Sequence, residues 1–174
     1  ERGTPQFPSS WRDVNTITIS YGHGISVTPM HMAAGVSALV NGGTLYTPTR
    51  IKRTPDDTLP SHQVISRKTS DTMRALMRMV AIAPGGTGRK ADAAAQGYFL
   101  GGKTGSAEKV GAHGGYSKSS NRTVFVAAFP IEAPKYVVFV LLDEPHGTKE
   151  TYNFATAGWN AAPTAGTIVN KIGP

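Results

Sequence analysis

The stretch Gly97–Lys109, GYFLGGKTGSAEK, holds the residue types and spacings best suited to chemistry, and two patterns overlap in it. Gly97, Gly102, Lys103 and Thr104 spell the G-x-x-x-x-G-K-T of a phosphate-cradling loop, whereas Lys103, Thr104 and Gly105 spell the K-T-G that borders the cleft of some serine acyl-transfer enzymes. A phosphate loop needs a buried strand leading into its first glycine and a helix opening at Lys-Thr, because the helix-start amides bind the anion. Before Gly97 stands RKADAAAQ, after Thr104 comes Gly105, and Tyr98, Phe99 and Leu100 are bulky for a loop that wraps phosphates. An acyl-transfer wall asks for something else, a strand at a sheet edge against which an extended peptide can lie. There Gly105 would leave room for the peptide, and Lys103 would raise the local potential for a substrate carboxylate. The hydroxyls of Thr104 and Ser106 would share one strand face to bind that carboxylate, and the Ser106 N–H would serve as an oxyanion donor. A solvated turn that happens to contain Lys-Thr-Gly is the alternative, and the tripeptide alone does not separate the two.

Other residues invite chemistry less. Ser106-Ala107-Glu108-Lys109 satisfies S-x-x-K and Ser119-Ser120-Asn121 satisfies S-x-N. On a strand, however, positions i and i+3 point to opposite faces about 10 Å apart, so Ser106 and Lys109 cannot act as a nucleophile and its base. Histidines 23, 31, 62, 113 and 146 lack the spacing of a zinc motif, and the absence of cysteine removes thiolate sites and disulfides, so no metal and no cofactor is expected. Nothing in the sequence forces substrate contact on the loop residues His113, Tyr116 and Ser117, though it leaves room for it, and Gly85-Gly86-Thr87-Gly88 reads as a connector into the K-T-G segment. Met73, Met77 and Met79 are read as packing residues.

The elements that must position the K-T-G segment follow from the pattern of the 174 residues, 39% hydrophobic, with 20 glycines and 12 prolines. That composition predicts one α+β domain, or a large part of one, with short strands and many turns. The net charge of +7 comes from scattered cations without a dense stripe or motif, which argues against nucleic-acid binding and is compatible with a carboxylate-bearing polymer. The opening ERGTPQFPSSWRDVNTITISYGHG reads as an irregular loop with a β-prone piece at Thr16–Ser20. A helix is predicted from Thr28-Pro29 to Asn41-Gly42-Gly43, buried through Met30, Ala33, Ala34, Val36, Leu39 and Val40, followed by a short strand within residues 44–52. A second helix carries Met73, Leu76, Met77 and Val80 at i, i+3, i+4 and i+7, capped by Ser70-Asp71 and stopped by Pro84-Gly85-Gly86. Strands are predicted over Tyr98–Val110, Val124–Phe129 and Tyr136–Leu142, with a glycine-rich loop around Gly111, Gly114 and Gly115. A terminal helix lies within Ala157–Ile172. No apolar run is long enough to span a bilayer.

The segments YGHGISVTPMHMAAGVSALVNGG, GGTGRKADAAAQGYFLGGKTGSAEK, GGYS, VFVAAFPIEAPKYVVFVLLDEP and the final AAPTAGTIVNKI, in that order, resemble the C-terminal half of the transpeptidase domain of class B penicillin-binding proteins, especially the division-specific transpeptidases. The resemblance runs from about Trp11 to Pro174. It implies an antiparallel sheet flanked by helices, with residues 1–174 forming the C-terminal part of a single transpeptidase domain that lacks its S-x-x-K and S-x-N segments. It also implies a peptidoglycan D,D-transpeptidase in which a serine attacks the D-Ala-D-Ala stem peptide, passes the acyl group to an amine, and is trapped by β-lactam antibiotics. Lys103, Thr104 and Gly105 match the third motif, with Ser106 at the hydroxyl position after it; the nucleophile is not in this chain, which alone is expected to be inactive. Implied partners are the stem peptide, β-lactams, the missing N-terminal part of the domain and division proteins. The implied location is the periplasmic face of the bacterial inner membrane, anchored by a segment outside this chain. A non-catalytic peptidoglycan- or partner-binding domain and a nucleotide-binding module are the alternatives.

Overall fold

The computed structural model describes residues 3–54, 56–110 and 116–173, with the backbone alone for residues 110 and 116–119. The loop at Gly111, His113, Gly114 and Gly115 lies outside the described residues, as do the side chains of Tyr116, Ser117 and Ser119. The chain divides into two units, Glu1–Met32 and Ala33–Pro174.

In the first unit the β-prone piece is in fact helical: α1 spans Asp13–Ser20. Thr16, Ile17, Thr18 and Ile19 favour strands, but the start of the segment is fixed locally by the Asn15 Oδ1, which accepts the Arg12 N–H at 2.9 Å. No α1 residue is buried. Gln6 and Ser26 exchange both backbone hydrogen bonds, at 2.8 and 3.1 Å. Helix α2, Pro29–Val40, starts as predicted, with Thr28 Oγ1 accepting the His31 N–H at 3.3 Å.

In the second unit α2 buries Val36, Ala38 and Val40 and ends at Gly42 and Gly43, both at positive φ. A small sheet pairs β1 (Thr44–Tyr46) with β2 (Ser61–Gln63), the latter not foreseen because its SHQ is polar and fully exposed. Helix α3 spans Arg67–Ile82 and begins one turn earlier than predicted, because Ser66, not Ser70, is the cap: its Oγ accepts the Thr69 N–H at 3.1 Å. Ser70 is buried instead, donating to the Leu39 carbonyl at 2.8 Å and accepting the Gly42 N–H at 3.0 Å. Met77 is buried, whereas Met79 and Leu76 are exposed. A short helix α4, Arg89–Ala94, occupies the segment read as a mere approach to the K-T-G stretch.

The main sheet is antiparallel, ordered β3 (Gly101–Val110), β4 (Tyr116–Phe129) and β5 (Tyr136–Asp143), and the terminal helix α5 is Ala161–Ile172. Both faces of the sheet are covered. Phe125, Ala127 and Phe129 meet Ala91 and Ala95 from the α4 region and Ala161, Ala165 and Val169 of α5 on one side. Val126 and Ala128 meet Val36 and Val40 of α2 and Met77 of α3 on the other. This two-sided burial explains why β4 and β5 read as continuous apolar runs. The architecture is the expected mixed helix and antiparallel-sheet fold. No helix among the described residues is long and apolar enough to cross a membrane.

Candidate active site

Among the described residues strand β3 pairs with β4 alone, so it is an edge strand, and Lys103, Thr104, Gly105 and Ser106 all lie within it. Lys-Thr therefore does not open a helix, and the geometry that a phosphate loop requires is missing here.

Cross-strand partners share a face of a sheet. Thr104 pairs with Phe125 and Ser106 with Thr123, which sets both hydroxyls on the side covered by α4 and α5. Lys103 pairs with Val126 and Gly105 with Val124, on the α2 and α3 side. Thr104 and Ser106 thus share a face as the two-residue period predicts, and Lys103 stands on the other. Lys103 Nζ donates to the Thr104 carbonyl at 2.8 Å. At Gly105 an added methyl would lie 2.7 Å from a Val124 Cγ, so the glycine is required by the neighbouring strand as well as leaving the edge bare.

On the Thr104 and Ser106 face lies a cavity of about 600 Å³. The Gly85–Thr87 turn, Arg89 and Lys90 of α4 and the Thr156–Trp159 segment before α5 form its remaining walls. Three polar contacts fix these walls to the sheet. Thr87 and Thr104 hydroxyls are 2.8 Å apart, the Ala157 N–H donates to Ser106 Oγ at 3.2 Å, and buried Thr123 donates to Asn160 Oδ1 at 2.9 Å. Asn160 also accepts the Ala161 N–H at 2.6 Å as the cap of α5 and donates to the Ala155 carbonyl at 3.0 Å. Trp159 carries Lys90 Nζ 4.0 Å from its ring centroid and stacks on Phe154. Described cavity-lining residues include two cations and no carboxylate.

Sequence reasoning missed Thr87, Arg89, Lys90 and Trp159, which come from three separate elements. Their only shared signal was proximity to glycine-rich turns. Asn121 stands opposite Glu108 on β4, and its carbonyl accepts the Glu144 N–H at 2.8 Å. Ser106 and Lys109 are both on β3, with Lys109 turned to Asp143 and Glu144 at 3.2 and 2.8 Å. The hydrogen bonds it donates to Glu144 and then Asp143 hold the Lys109 ammonium above its ordinary pKa. The Asp143 carboxyl is held below its own, by Arg122 first and Lys109 second. This cluster ties the far end of the sheet rather than the cavity. Among the described residues no group of acidic or histidine side chains could hold a metal ion.

The antiparallel sheet with helices on both faces finds its counterpart among known proteins. The chain belongs to the penicillin binding protein transpeptidase domain family, whose model matches residues 2–169. It is 38% identical over its whole length to the probable peptidoglycan D,D-transpeptidase FtsI of Caulobacter vibrioides, of which it spans 30%. It is 39% identical over 92% of its length to stage V sporulation protein D of Bacillus subtilis, spanning 25% of that protein. In structure it resembles the transpeptidase domain of Burkholderia pseudomallei penicillin-binding protein 3, with a TM-score of 0.78 and 32% identity, over 91% of this chain and 45% of that one.

Proposed function

We infer that this chain is the C-terminal part of a serine-type peptidoglycan D,D-transpeptidase and supplies one wall of its cleft. The activity of the relatives named D,D-transpeptidase is the model for this reading, and the chain's share of 45% of the Burkholderia domain supports its being one part of such a domain. The observation that carries it is the placement of Lys103–Ser106 on a free sheet edge, with Thr104 and Ser106 opening into a cavity without carboxylates.

In this reading an extended stem peptide ending in D-Ala-D-Ala lies along β3, its terminal carboxylate received by the Thr104 and Ser106 hydroxyls. The Ser106 N–H donates to the carbonyl oxygen as charge develops on it. Lys103, on the opposite face, stands toward the S-x-x-K and S-x-N groups that another part of the domain provides. The serine of S-x-x-K attacks the carbonyl, D-alanine leaves with the transferred proton, and an amine of a neighbouring strand takes the acyl group. A β-lactam enters the same groove and stays as the acyl-enzyme. The enzyme works at the periplasmic face of the inner membrane, in division, with stem peptides and division proteins as partners, and no metal, cofactor or nucleic acid takes part.

Incubation with a fluorescent penicillin tests this. The 174-residue chain by itself should remain unlabelled, and labelling should appear once an upstream segment carrying S-x-x-K is supplied. Covalent labelling of the isolated chain, or none in the completed domain, would refute the assignment.

A further inference from the structure

A peptide carboxylate bound by two neutral hydroxyls is held more firmly when a cation faces it, because charge-assisted hydrogen bonds are the stronger kind. The obvious cation of the motif, Lys103, lies on the other face of β3 from Thr104 and Ser106. The cations on the hydroxyl face are Arg89 and Lys90, both lining the cavity. Elsewhere on this unit Arg74, Arg78, Lys109 and Arg122 are paired with carboxylates, whereas, among the described residues, Lys103 and other cations away from this cavity are not. Among the described residues Arg89 and Lys90 have no such partner, so their charge is not already spent within the fold. Lys90 does have a companion, the Trp159 ring. An indole face steadies an ammonium and strips part of its water while leaving its full charge, which a carboxylate partner would cancel.

Resting on the transpeptidase reading above, we propose that Lys90, held over Trp159 and supported by Arg89, is the cationic anchor for the terminal carboxylate of the acyl donor. Lys90 is a specificity-determining residue for that carboxylate, and Trp159 is a positioning residue that acts through it. The carboxylate would sit between the Thr104 and Ser106 hydroxyls on the sheet side and the Lys90 ammonium on the α4 side. Donors ending in an amide or ester would lose the anchor while keeping the backbone contacts along β3.

The test compares acylation rates with benzylpenicillin and with its methyl ester, in a domain completed by the S-x-x-K segment. Lys90→Gln should lower the acid-to-ester rate ratio by about tenfold, the size of a charge-assisted hydrogen bond at a partly exposed site, with the ester rate unchanged. Lys90→Arg should keep most of the ratio, and Lys52→Gln, on an exposed loop, should leave it at the wild-type value. An unchanged ratio in Lys90→Gln overturns the proposal, as does an equal loss on acid and ester, which would mark a structural role. A loss confined to Arg89→Gln overturns the assignment to Lys90. If the completed wild-type domain is acylated normally but these variants do not discriminate, this inference alone fails; if the wild type is never acylated, the transpeptidase reading fails and takes this one with it.

Discussion

Replacing Gly166 by alanine tests how closely α4 is held against α5. A methyl at Gly166 would stand 2.1 Å from the Ala91 carbonyl oxygen and 2.8 Å from the Ala94 Cβ. The oxygen cannot swing aside, because it accepts the Ala95 N–H at 3.0 Å within the turn that ends α4. To restore ordinary contact α4 must retreat by about 1 Å, in an interior packed as densely as a crystal. Overpacking of this kind costs about 1–3 kcal/mol, while alanine returns about 1 kcal/mol of helix propensity; a clash this close puts the cost at the upper end, for a net loss approaching about 2 kcal/mol. Gly35 in α2 is the control, since a methyl there meets nothing within 4 Å and should stabilise the protein by up to about 1 kcal/mol. Denaturant unfolding of both variants gives the comparison, read from the midpoint at unchanged slope. Opposite signs for the two substitutions are expected. A Gly166→Ala protein as stable as wild type would refute the claim that this glycine sets the helix spacing.

Asn160→Ala removes the α5 cap and leaves the buried Thr123 hydroxyl without its acceptor, for an expected loss of about 2–4 kcal/mol in the same unfolding assay. Adding Thr123→Val should recover part of that loss, and no recovery would show that the hydroxyl was never the problem. The cluster at the far end of the sheet should respond to pH at both extremes. Asp143 is depressed below its ordinary 3.8, so its contribution is present above that value and disappears as pH falls through the lower folded value. Lys109 is raised above 10.5, so its contribution is complete below that value and disappears as pH climbs through the higher folded one. Amide exchange near Glu108 and Asp143 should therefore stay protected across neutral pH; loss of protection near pH 7 would contradict this.

Legibility in the sequence followed the range over which each residue acts. Strands β4 and β5 announced themselves because helices cover both faces of the sheet and the apolar runs are continuous, although in β5 only Val140 is fully buried. Thr104 and Ser106 were placed on one face by the two-residue repeat alone, and the same repeat, carried one step further, already sets Lys103 on the other. Helix α1 was misread because its β-branched residues speak for a strand, and an exposed eight-residue helix held by Asn15 carries no buried periodicity to overrule them. Helix α4 is short and alanine-rich, and its buried Ala91 leaves little pattern to see. Ser66 and Ser70 are both plausible caps; which one is inside depends on Leu39 and Gly42, some thirty residues away, as the 31- and 28-residue separations of those bonds show. Arg89, Lys90 and Trp159 meet only through tertiary packing, so no spacing rule would have gathered them.

Arg78 joins the two sides of the cavity mechanically. From α3 its guanidinium bonds to Asp92 on α4 and to the Leu100 carbonyl at 2.7 Å, just before β3, and it lies 5.3 Å from the Phe99 ring centroid. A single guanidinium nitrogen, Arg78 Nη1, thus links the lysine-bearing helix to the start of the hydroxyl-bearing strand. A guest arriving between them meets a gap already set to size, so little ordering entropy is spent on closing it, and affinity should depend more on the fit of the incoming tail than on any rearrangement of the host.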